Sequence, residues 1–188
     1  MARLNQAIVL LVTIFATSLI AESHSSTHFG FGIETNRKYK IDQEGGSLVV
    51  FDWSTEISET LSLGLKTVAS GATGKTTSLQ RLTSGPMLSY AWQKMHLQYS
   101  LGYFQESVQM GGPNSSELSS KGLSHTISIN RFYKWLPQVS FGWGTFLSFR
   151  NGKVTKSTPS PNATAFLRSG AGFDSFGNGI FASLRMIL

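Results

Sequence analysis

The chain has no cysteine, so no disulfide staples it and no thiolate can serve as nucleophile or metal ligand. Charge is scarce as well: Asp, Glu, Lys and Arg make up 14% of 188 residues. No apolar run reaches the ~20 residues that a membrane-spanning helix needs. The longest, AIVLLVTIFATSLI from Ala7 to Ile20, is a fourteen-residue stretch behind Arg3. Its length and its basic flank suit the core of a secretory signal, with cleavage after Ala21 or Ser23. An uncleaved N-terminal anchor is the rival reading. The expected organisation is a signal peptide over 1–23 and a single domain over 24–188. The net charge is +6, but the basic residues form no run and no helical stripe. That argues against a nucleic-acid partner and leaves contact with anionic lipid headgroups open.

What remains is rich in glycine (19 residues) and aromatics (12%), and it alternates. In Met95-His96-Leu97-Gln98-Tyr99-Ser100-Leu101-Gly102-Tyr103 every odd position is large and apolar. Val139-Ser140-Phe141-Gly142-Trp143-Gly144-Thr145 repeats the pattern. Period two is the signature of a β-strand with one face in an apolar medium. A soluble strand usually wets its other face with Lys and Glu. Here that face is mostly Ser, Gly, Gln, Thr and Asn, which suits a narrow, filled barrel lumen with the apolar side turned to lipid.

Nine segments carry the pattern: His28–Tyr39, Ser47–Ile57, Thr60–Ala69, Leu79–Trp92, Met95–Ser107, Gly122–Tyr133, Pro137–Phe149, Thr164–Phe173 and Asn178–Leu188. Short connections (Ser58-Glu59, Gln93-Lys94, Lys134-Trp135-Leu136, Asp174-Ser175-Phe176-Gly177) alternate with longer ones (Lys40–Gly46, Ser70–Ser78, Val108–Lys121, Arg150–Ala163). Up-and-down membrane barrels show this rhythm and have even strand numbers. The expectation is therefore all-β: an up-and-down antiparallel transmembrane barrel of about eight strands, within a range of eight to ten. The inward face would hold a lumenal charge network of Glu34, Asp52, Glu56, Lys66, Arg81, Glu106, Arg168 and Arg185. Phe104, Phe132, Phe146 and Phe181 share that face and oppose an open pore. Trp53, Trp92 and Tyr133 near the short turns, and Tyr103 and Phe149 near the loops, are expected interface aromatics. Trp143, mid-strand, fits neither belt.

The signal segment, the hairpin rhythm, VSFGWG (Val139–Gly144) and GIFASLRMIL (Gly179–Leu188) together resemble the small outer-membrane barrels of Gram-negative bacteria, of the OmpA/OmpX-like and opacity type. The resemblance covers about His28 to Leu188 and implies architecture: residence in the outer membrane, contact with its lipid, and handling by the barrel-assembly machinery. Leu188 stands where such C-terminal signals end in Phe. No active site comes with the resemblance.

Chemical motifs are absent. Ser70-Gly71-Ala72-Thr73-Gly74-Lys75-Thr76 lacks the glycine spacing of a phosphate-binding loop. His96 points inward, where a hydrogen bond is its expected role. His125 faces outward, and Ile127 rather than a serine stands two residues on, so no strand-borne His–Ser pair forms. His24 and His28 lie at the expected mature N-terminus. Asn114-Ser115-Ser116 and Asn162-Ala163-Thr164 match a glycosylation triplet only by composition. No catalytic, cofactor-binding or metal-ligating residue is expected. The leading expectation is a structural or surface-interaction barrel that meets an external ligand through its loops. The alternatives are a small pore, a lipid-modifying enzyme, or a soluble lipocalin-type barrel with the apolar face inward.

Overall fold

Alternating side chains become a closed sheet when every strand edge finds a partner, and here each does. In the computed structural model, which describes residues 25–36, 43–74, 77–110, 116–158 and 172–188, the strands are β1 (Ser25–Asn36), β2 (Gln43–Glu56), β3 (Leu61–Gly74), β4 (Thr77–Trp92), β5 (Met95–Met110), β6 (Ser116–Leu136), β7 (Val139–Thr158) and β8 (Gly172–Ile187). Each pairs antiparallel with the next, and β8 returns to β1 to close the barrel. The closing seam runs from Ser26↔Ile187 to Asn36↔Gly177. The expected signal segment lies outside the described residues.

The count is eight strands among the described residues, against nine candidate segments. The segment Asp174–Gly177, expected as a turn, lies inside β8 and pairs with β7 from Asn151↔Asp174 to Ser148↔Gly177. Residues 164–171 of the eighth candidate lie outside the described residues, and Gly172-Phe173 begin β8. Asp, Ser and Gly form turns when water is the competing partner. Here β7 pairs with all four and β1 joins at Gly177, so the ladder takes their backbone groups on the β7 side. A side chain at Gly177 would collide with the Glu34 carboxylate and the Arg150 guanidinium. The glycine that suggests a turn is instead the space an ion pair occupies.

The outward face carries an apolar belt: Phe31, Ile33, Leu63, Leu65, Leu88, Leu97, Leu101, Ile127, Ile129, Phe141, Leu147 and Ile180 are all exposed. On β6 this face is apolar at Leu123, Ile127, Ile129 and Tyr133. At about 3.4 Å per residue and a tilt of about 40°, that run rises roughly 26 Å, the height of a lipid-facing band. Every even position of β6 between Ser124 and Phe132 is buried inside. The lipocalin-type alternative, with the apolar face inward, is thereby overturned for this zone.

Beyond the band the alternation inverts. Ala72, Leu79, Phe104, Val108, Leu118 and Val154 point inward and form one buried cluster. Gln105, Gln109, Lys121, Asn151 and Lys153 point outward and are exposed. The longer expected loops are therefore shorter than their composition suggests: β3 runs to Gly74, β5 to Met110 and β7 to Thr158. These extensions follow the rule of a water-bathed sheet, with apolar residues in and polar residues out. Their Gly, Ser, Asn and Lys content marks them as loops only if the solvent is assumed constant along the strand.

An arginine at position 127 should cost about 2–4 kcal/mol of unfolding free energy in lipid vesicles, and one at Ser119 about 0–1 kcal/mol. Urea titration of Ile127→Arg and Ser119→Arg measures both; equal costs would show that the belt does not face hydrocarbon.

Candidate functional site

The lumen is where an eight-stranded barrel could hold a channel, a ligand or a reactive group. Between the short turns and the Phe104 cluster it is filled in four layers. Nearest the short turns, Arg185 Nη1 lies 2.9 Å from His96 Nε2, beside a cavity of about 10 Å³ lined by Ser26, His28, Asp52, Ser89 and Phe132. That is room for one water molecule. Above it, His28 Nδ1 and Lys66 Nζ converge on Asp52 Oδ2 at 2.8 and 3.3 Å. Lys66 also donates to Gln98 Oε1 (2.7 Å) and Ser128 Oγ (2.9 Å), and Asn130 Nδ2 donates to the same Gln98 oxygen at 2.8 Å.

The third layer is apolar: Leu48, Val50, Val68, Phe146 and Phe181. Phe181 fits because Gly30 and Gly144 carry no side chain; a methyl group at Gly30 would sit 2.6 Å from its ring. The fourth layer is charged. Arg81 Nη1 and Arg150 Nη2 each donate to Glu34 Oε1 at 2.6 Å, and Arg81 Nε donates to Glu106 Oε2 at 2.6 Å. Two guanidinium groups face two carboxylates, all buried. Bare ions in such a place would cost several kcal/mol each, so balance and hydrogen bonding are conditions of their burial.

Of the residues singled out from sequence, Glu34, Asp52, Lys66, Arg81 and Glu106 are buried inside, where they divide between the second and fourth layers. Arg185 is half-buried in the first layer. Glu56, at the end of β2, is exposed because the wall stops there, and its charge still acts on Arg185. Arg168 lies outside the described residues. Sequence reasoning missed Arg150, which Gly and Lys neighbours assigned to a loop. Its parity with Phe146 and Ser148 was the available signal. It also missed His28, Gln98 and Asn130 as partners, since pairing across a ring is invisible in one dimension.

The aromatics lie outward at two heights. Trp92 and Tyr133 are exposed towards the short turns, and Trp53 is half-buried there. The Arg131 guanidinium lies 5.2 Å from the Tyr133 ring centre. Tyr103 and Phe149 are exposed near the opposite boundary. Trp143 is exposed mid-strand in the apolar belt.

Reactive geometry is sparse. His28 resembles a base oriented by a carboxylate, but its Nε2 has no hydrogen-bond partner. Its ring packs instead against Phe132 and Phe181, at 5.3 and 5.8 Å between centroids. His125 donates to or accepts from Tyr99 Oη at 2.8 Å on the outer face. Among the described residues no three His, Asp or Glu side chains gather as a metal site would require.

An apolar belt outside, a filled polar and ionic interior, and closure in eight strands define a transmembrane β-barrel of the kind found in bacterial outer membranes. No family model matches the chain, and no curated protein does. Solved structures do match. The attachment invasion locus protein of Yersinia pestis, Ail, is similar with a TM-score of 0.55 at 10% identity, over 88% of this chain and 100% of that one. Its complex with the heparin analogue sucrose octasulfate matches at 0.51, with 12% identity over 88% and 100%. Neisserial surface protein A matches at 0.50 and 10%, over 89% and 98%. At such identities the likeness is one of fold.

Arg81→Met removes one guanidinium from both Glu106 and Glu34, in a buried layer. It should destabilise the folded barrel by about 3–5 kcal/mol, while Glu56→Gln should shift stability by less than about 0.5 kcal/mol. Thermal shift of heat-modifiable gel mobility reads both.

Proposed function

We propose that the chain is an integral, non-catalytic protein of the bacterial outer membrane that works at its loop-side surface. The observation that carries this reading is the blocked lumen. Phe104 and Phe146 are 0% and 2% exposed, and ionic and apolar layers alternate across the whole bore. A conducting path would have to break the Glu34–Arg81–Glu106–Arg150 cluster and move both phenyl rings. Among the described residues the Nε2 of the buried His28 meets no hydrogen-bond partner.

The sheet supports function at the outer end instead. Beyond the apolar band β5, β6 and β7 continue as a paired wall over a packed apolar interior. Binding residues are commonly carried on connections held by such a rigid base. Similar barrels carry names that speak of attachment and of the surface, and that supports the same reading here. In this reading residues 1–23 export the chain, the assembly machinery receives its β8 end, and an external partner meets residues 37–42, 111–115 and 159–171.

In planar bilayers the purified barrel should give no current steps above background; stable unitary currents would replace this reading with a pore. Cells displaying the barrel should adhere to protein- or glycan-coated surfaces several-fold more than cells displaying a version with residues 111–115 and 159–171 replaced by short Gly-Ser turns. Equal adhesion, with both barrels folded, would refute a surface role.

A further inference from the structure

At the loop-side edge of the apolar belt, two lysines face each other across neighbouring strands. Lys121 of β6 pairs directly with Lys153 of β7. Both side chains point outward and are exposed. Like charges directly opposite are destabilising in a sheet, so the pair is costly unless an anion joins it. No carboxylate of the described residues forms an ion pair with either. The nearby Lys156, in contrast, is bound by Glu117 at 2.7 Å. Asp174, diagonal to Lys153, accepts from Asn151 Nδ2 at 2.7 Å.

The position of the pair decides what the anion is. Two positions nearer the bilayer, on the same face, stands Leu123↔Asn151, and two further His125↔Phe149. The ammonium groups therefore lie just above the last lipid-facing side chains, at headgroup depth. Beneath them an open groove of about 430 Å³ is lined by His125, Phe149, Asn151, Asp174 and Phe176. Its apolar floor is the Phe149–Phe176 ring pair, 5.0 Å between centroids. Among the described residues the feature is confined to one sector. At the corresponding boundary β2, β3 and β4 present Ser47, Gly71 and Gln80 outward, without charge.

We propose that this sector of β6, β7 and β8 binds a phosphorylated lipid of the loop-side leaflet. Lys121 and Lys153 hold the phosphate between them, and the groove over Phe149 and Phe176 receives an acyl chain. The site rests on charge complementarity at a fixed depth and is independent of whether the loops engage an external partner.

The test uses the full barrel in nanodiscs of equal phosphatidylcholine and phosphatidic acid, released into native mass spectrometry. The wild-type protein should retain one phosphatidic acid and no diacylglycerol of the same chains. The double variant Lys121→Gln/Lys153→Gln should retain it about thirtyfold more weakly, from the loss of two near-surface lysines. Lys156→Gln should match the wild type, and inorganic phosphate should fail to displace the lipid. Unchanged retention in the double variant would overturn the proposal. So would displacement by inorganic phosphate, or an equal loss in Lys156→Gln, which would reduce the effect to bulk charge. Heat-modifiable mobility of each variant confirms that it is folded.

Discussion

Hydrocarbon cannot hydrogen-bond a peptide group, so a sheet in a bilayer must leave no edge. The return of β8 to β1 satisfies that constraint here, and the rest of the structure depends on it. Closure in eight strands makes a bore that side chains can fill. Filling then dictates which residues stand inside: glycines where Phe181 or the Glu34–Arg150 pair needs the room, and hydroxyls and amides where the wall is close. The same closure explains why Asp174–Gly177, four residues that read as a turn, are strand. Strand β7 claims their backbone groups before water can, and β1 joins it at Gly177.

The second governing fact is that each long strand passes through two solvents. In the belt the apolar side chains turn out to lipid, and the interior holds serines, amides and ions. Past the belt Val108, Leu118 and Val154 turn in, and Gln109, Lys121 and Lys153 turn out. The period of two holds through the inversion and breaks only further out, at the bulge where Ser119 pairs with Lys156 and Ser120 with Val154. What inverts is the medium outside. Charged side chains at the transition sit where headgroups would lie, which gives the Lys121–Lys153 pair its meaning and distinguishes it from a solvated lysine elsewhere on the sheet.

The interior shows how charge can be buried without a pore. The two ionic layers are separated by Val50, Val68, Phe146 and Phe181. Two acceptors collect several donors: Gln98 Oε1 accepts from Lys66, Ser128 and Asn130, and Glu34 Oε1 accepts from two arginines. A network of this kind favours one arrangement of the wall, because any slip of register by one residue would carry its charges into the lipid.

Much of this was legible in one dimension. Period two, the scarcity of charge and the turn spacing together determined an antiparallel barrel, its lipid face, and the inward direction of Glu34, Asp52, Lys66, Arg81 and Glu106. These are local consequences of the pleat. What only the tertiary structure decided was which inward residues meet. Arg150 reaches Glu34 across 116 positions, and no periodicity encodes that. Strand ends were decided there too. A run of Gly, Ser, Asn and Lys is loop in water and strand beside a partner, and the partner comes into being only when the ring closes.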